Sequence, residues 1–235
     1  MRSIDPFNIP LEEFNQLTFD EWKEYADRAY ELCRREIRES FEEAEYVVVC
    51  NRRVILATNN PSKVSGQEIS RLMEKYGKPC YTFSRPLAIE EVSWSIAVEV
   101  MIGAESWNAE ELREEGKNVV ADFNTGNPYP YLILDERLSK GIVSSPTRNE
   151  FIIGEHLGRR YYYFLRVVHV GIMDIKRKFK SRKLLAQLVR DWRKSPFIET
   201  SPYREGFTGR HLMFDFNFKI TLDPKSRTSL IEYLD

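Results

Sequence analysis

The apolar residues of this 235-residue chain change their spacing along its length, and that change most restricts the folds open to it. Before about residue 88 a helical repeat stands out. Trp22, Ala26, Ala29, Cys33 and Ile37 recur three or four positions apart, with charged residues between them, so one stripe faces a core. From Val92 onward the apolar residues come in short runs separated by glycines and prolines, the texture of a closed or sandwiched β-domain. The chain is therefore expected to be mainly β, with a small α+β domain over residues 1–88 and a β-domain over 89–235.

The first domain is predicted in some detail. Thr18 and Glu21 have the spacing of a capping box, which starts a helix at Thr18. Strands over 46–50 and 54–57 flank Asn51-Arg52-Arg53 as a hairpin. A helix over 61–76 stops at Gly77, and a short strand covers 80–83. The pattern is similar to small ββαβ domains of unknown function in prokaryotic proteins, and no catalytic constellation is visible in it.

In the second domain, strands are predicted over 96–102, 118–123, 131–134 and 214–222. A long hairpin has arms at 151–153 and 161–172, with Gly154 and Gly158 near its tip. Phe179, Leu185, Leu188, Val189 and Trp192 read as the stripe of a helix inside a basic insertion over 175–195. Residues 176–194 hold nine bases against Asp191 alone, while residues 12–45 hold twelve acids against five bases. The basic run is open to two readings, a solvated face opposite the acidic helix or a phosphate-binding surface.

Composition narrows the function classes. With 42% hydrophobic and 30% charged residues the chain is of ordinary globular make-up, which excludes disordered, collagen-like and disulfide-knot classes. Its 35 basic and 36 acidic residues give a net charge of −1, which argues against nucleic acid as a main partner. Cys33, Cys50 and Cys80 are odd in number, lack metal-ligand spacing and lie in apolar stretches, so buried reduced thiols are expected. Neither a secretory signal pattern nor a bilayer-length apolar run is present, so a soluble cytoplasmic protein without membrane contact is expected.

Two segments carry the functional signal. Val119 to Phe123 is an apolar strand, interrupted by Asp122, that runs into Asn124-Thr125-Gly126; Gly126 permits an unusual backbone or a close approach there. Gly206-Phe207-Thr208-Gly209-Arg210 leads into a second apolar run. Each is common alone. In this order, with the glycine-bearing hairpin between them, they resemble the retropepsin family of aspartic peptidases over roughly residues 92–235.

That resemblance implies a β-barrel acid-protease fold and endopeptidase activity on peptide or protein substrates. It also implies a homodimer, because the family builds one site from two Asp-Thr-Gly motifs and this chain has a single equivalent. Asn124, Thr125 and Gly126 take the catalytic positions. Asn127, Tyr129, Gly154, His156, Gly158 and Gly209 take substrate-binding positions, and Arg210 a structural one, with Asp122 or Asp215 as its expected partner. No metal or cofactor is implied. The family's carboxylate is replaced here by Asn124, whose amide cannot serve as a base, so the chain as written is expected to be inactive; Asp122, two residues back on the strand, is a poor substitute. The change is either the replacement of an original Asp or the mark of a natural non-enzymatic binding or scaffold module. The N-terminal domain is expected to act as a pro-segment removed by autoprocessing.

The histidines add little. His156 reads as a solvated residue at the hairpin tip, His169 as a satisfied half-buried strand residue, and His211 as part of a helix start. None has metal-ligand spacing.

Overall fold

Residues 5–86, 96–124, 132–198, 204–223 and 228–234 are described by the computed structural model. In chain order they form α1 (Leu11–Phe14), α2 (Phe19–Ser40), β1 (Tyr46–Cys50), β2 (Arg53–Thr58), α3 (Gly66–Tyr76), β3 (Cys80–Ser84), β4 (Ile96–Ala104), α4 (Ala109–Glu115), β5 (Lys117–Asn124) and β6 (Leu132–Asp135). There follow β7 (Ile152–His156), β8 (Arg159–Met173), β9 (Phe179–Val189), β10 (Gly206–Gly209), α5 (Arg210–Phe216), β11 (Phe218–Asp223) and β12 (Thr228–Tyr233). Two compact units result, one of Met1–Leu87 with Pro146–Phe164, the other of Ala88–Ser145 with Leu165–Asp235.

The first unit has the strand order β2-β1-β3-β7-β8, with only the opening residues of β8 taking part. The Thr18 hydroxyl accepts from the Glu21 N–H while Glu21 accepts from the Thr18 N–H, so the capping box sets the first turn of α2. Trp22, Ala26, Ala29, Cys33 and Ile37 are all buried, and α2 lies against β1, β2 and β3. β1 is buried along its whole length, as a continuous Val-rich run in a central strand should be. Asn51 and Arg52 both have positive φ, which gives the β1–β2 turn the twist a tight hairpin needs. Gly77, at φ 60°, ends α3 in the left-handed conformation. The three cysteines are free and buried.

The second unit is a closed six-stranded barrel. Its order runs β8-β4-β5-β10-β6-β9, and β9 returns to β8. Closure leaves no unpaired edge along the ring. β4 and β5 pair antiparallel over seven residues, from Ile96–Phe123 to Ile102–Lys117, and they alternate Val98, Val100, Val119 and Ala121 inward. β11 and β12 form a separate antiparallel hairpin, tied down where the Tyr233 hydroxyl donates to the Ile172 carbonyl at 2.6 Å. No helix among the described residues is long and apolar enough to cross a membrane.

Three expectations need correction. The basic segment 175–195 is not a helix: it contains β9, paired in parallel with β6 from Leu132–Ala186 to Asp135–Val189. Leu184 to Val189 is a near-continuous apolar run, and burial in a closed barrel decides such a run in favour of strand over its chance helical spacing. The hairpin assigned to the β-domain forms part of the first unit instead, because β7 pairs with β3. The strand expected over 214–222 begins only at Phe218, since Arg210–Phe216 is helical and Asn217, at φ 52°, ends the helix.

Candidate functional site

The second unit brings its two signal segments side by side. β5 and β10 run parallel with Ala121 opposite Gly206, Asp122 opposite Phe207, Phe123 opposite Thr208 and Asn124 opposite Gly209. β10 is also antiparallel to β6, so it lies between β5 and β6 although the chain passes directly from one to the other in sequence. Gly206 sits at a crowded point. A Cβ there would come within 2.7 Å of Leu134 Cδ2 and 3.4 Å of the Ala121 Cβ. Asn124 and Gly209 thus end adjacent parallel strands at the same side of the barrel, and α5 begins at the next residue, Arg210.

Asn124 is buried, as are Asp122 and Phe123 before it. Thr125, Gly126, Asn127 and Tyr129 lie outside the described residues. Gly209 is buried and serves as the N-cap residue of α5 in an extended conformation. Arg210 is exposed, and Asp122, one of its two expected partners, is engaged by another residue.

That residue is Arg204. Its Nε donates to Asp122 Oδ2 at 2.5 Å, with the two side chains only 7% and 11% exposed. A second guanidinium nitrogen donates to the Phe197 carbonyl at 2.8 Å, and the guanidinium lies 5.1 Å from the centre of the Phe207 ring. Trp192 stacks on Phe197 and donates its indole N–H to the Arg204 carbonyl at 2.7 Å. The Asp122 carboxylate is therefore fixed as a structural anion, which removes it as a stand-in for a carboxylate at position 124. The 82-residue separation hid this pair from sequence reasoning; the one available signal was a lone acid in a strand too apolar to hold it unpaired.

The hairpin residues sit elsewhere, in the first unit. Gly154 is not at a tip: it is buried in mid-β7, and a Cβ on it would lie 2.4 Å from Cζ of Tyr161. His156 is buried rather than solvated. The turn itself is Leu157-Gly158, both with positive φ, and Leu157 is exposed. The crevice beside Gly154 and Arg160 holds about 10 Å³, too little for any ligand larger than water.

His169 behaves as read, buried with Nδ1 2.8 Å from the Trp107 carbonyl oxygen. His211 lies in the first turn of α5, edge-on to Phe214. In chemical terms, the β5–β10 corner presents a buried carboxamide at a strand end beside a buried glycine. Such a corner can orient a polar group by hydrogen bonding, and it lacks a titratable group of its own at position 124. The sequence matches no family model and no curated protein.

Proposed function

We propose that the second unit is a retropepsin-type aspartic endopeptidase domain, silent as written because Asn124 occupies the place of the catalytic carboxylate. The observation that carries this reading is the insertion of β10 between β5 and β6, with Gly209 opposite Asn124 and a helix opening at Arg210. The family resemblance calls for an apolar strand ending in the motif, a glycine-tipped flap hairpin, then an apolar-apolar-Gly-Arg segment opening a helix. The hairpin belongs here to the first unit and Thr208 departs from the pattern, so the first and last elements carry the reading. The barrel places those distant segments next to each other.

In this reading two copies of the chain meet across a two-fold axis, so each contributes one residue 124 to a shared site. Two carboxylates at such a centre would share a proton. One would activate water while the other donates to the scissile carbonyl and then to the leaving amine. Asn124 supplies neither function. The loss of general acid–base catalysis, typically ~10²–10⁴-fold, leaves peptide binding as the residual property of that shared site.

The test compares the protein with its Asn124→Asp variant. Each is incubated with a mixed peptide library from acidic to neutral pH and cleavage is read by mass spectrometry, with dimers verified by sedimentation. Cleavage by the Asp variant alone supports the peptidase; silence from both dimeric proteins refutes it. A second reading, a non-enzymatic dimeric peptide-binding or scaffold module, is favoured by Asn124 itself and by the anchoring of the β7–β8 hairpin in the first unit's sheet. It predicts that Asn124→Asp gains no activity.

A further inference from the structure

We propose that the N-terminal segment, residues 5–86, is a permanent clamp on the β7–β8 hairpin and not a detachable pro-segment. Three independent sets of contacts within the first unit carry this. The first is backbone pairing. β7 has a strand on each side, with Thr82–Ile152 and Phe83–Ile153 in parallel register on one side and five antiparallel pairs to β8 on the other. A hairpin free to swing would have an open edge there.

The second set is aromatic. Phe151 lies 4.9 Å from Phe19 and 5.9 Å from Trp22 between ring centres, and Tyr162 lies 5.7 and 5.8 Å from the same two rings. Residues on both sides of the hairpin thus close on the first turn of α2. Such edge-to-face and tilted packing adds specificity to the buried area.

The third set is polar. Arg160 donates to Asp27 at 2.6 Å and to Glu31 at 2.5 Å, one turn apart on α2, while its guanidinium covers the Tyr30 ring at 4.1 Å. The Tyr162 hydroxyl donates to Asp27 at 3.1 Å; burial, reinforced by Asp27, pushes that hydroxyl's pKa up, so it stays a donor. Arg148 donates to the Asn15 carbonyl and Asn149 to Ser70. A fork gripping two carboxylates and a ring is a geometry lysine could not reproduce.

Cutting the chain between residues 88 and 95 would therefore leave the hairpin held, because every contact above is non-covalent and internal to the unit. The Leu157-Gly158 turn takes no part in the contacts named above, and Leu157 is exposed.

The test replaces residues 88–95 of the full chain with a site for a sequence-specific protease. After cutting, the two fragments are run together on native gel filtration, and amide exchange of Ile152–His156 and Tyr161–Tyr163 is read by mass spectrometry. The clamp predicts co-elution and exchange as slow as in the uncut protein. In the uncut protein, Arg160→Ala should speed exchange of those amides about tenfold or more while Val119–Phe123 in the barrel stays unchanged. Separation of the fragments, or hairpin amides that exchange like an exposed loop in the intact protein, overturns the proposal. Neither readout involves peptide cleavage, so a silent Asn124→Asp variant defeats the peptidase and leaves the clamp standing.

Discussion

Replacing Arg204 with methionine isolates what holds the β5–β10 corner together. Methionine keeps most of the side-chain volume and removes the charge, so Asp122 would be stranded as an anion in a site where its side chain is 11% exposed. Removing one partner of a buried ion pair costs about 3–5 kcal/mol, far more than a surface pair is worth. With a urea dependence of about 2 kcal/mol per molar, the barrel's midpoint should fall by roughly 1.5–2.5 M. The double variant Asp122→Asn with Arg204→Met replaces the stranded anion by a neutral amide and should recover most of that loss. Because the chain has two units, a single bulk transition is unsafe. The assay is amide protection against urea, read separately for Val119–Phe123 in the barrel and Val47–Val49 in the first unit. A loss below about 1 kcal/mol for Arg204→Met, or no recovery in the double variant, would refute the buried-pair argument.

Other outcomes follow from single sites. Gly154→Ala forces a methyl against the buried Tyr161 ring and should destabilise the first unit by about 1–3 kcal/mol, with Tyr161→Leu restoring part of it; an unchanged thermal midpoint would show that the ring gives way. Lys176 and Lys219 both hydrogen-bond Glu232 and hold its pKa down at about 2, against an ordinary value of 4.5. A depressed carboxylate contributes stability that is present above the unfolded pKa and is lost as pH falls through the folded one. The urea midpoints of the protein and of Glu232→Gln should therefore differ near neutral pH and converge as pH falls from about 4.5 towards 2; a constant gap down to pH 2 would show that the difference is not ionic.

How much of this was legible in the chain differs by element. α2 was readable because local chemistry and tertiary burial agree: the Thr18 capping box and the Trp22-to-Ile37 stripe give the same boundaries that packing selects. The β5 strand and its polar end at Asn124 were readable for the same reason. β9 was not, because its leucines satisfy a helical spacing and only the neighbouring strands β6 and β8 decide its state. α4 went unseen although Asn108 and Glu111 form a capping box like the first one; its seven residues bury Leu112 alone, so it has no stripe to announce it. Gly154 was misjudged because a glycine in sequence does not distinguish a hinge from a place where a neighbouring ring needs room. Asp122 signalled that a partner was needed but not which one, since the role of Arg204 exists only once a residue 82 positions further on has folded back.

The parallel pairing of β3 with β7 also constrains the order in which the molecule can form as it is made. Thr82 waits for Ile152, a partner 70 residues further on, and at ribosomal rates of about 5–20 residues per second that is roughly 4–14 s of synthesis. During that interval β3 has β1 on one side and a bare edge on the other, while β4, β5 and β6 have already been made. β5 in turn cannot acquire its parallel neighbour until Gly206–Gly209 arrives. Each unit is thus completed by a segment that follows part of the other in sequence, and the first can close once Phe164 is made, before β9 and β10 of the second exist. Non-local pairing of this kind slows folding and leaves strand edges exposed meanwhile.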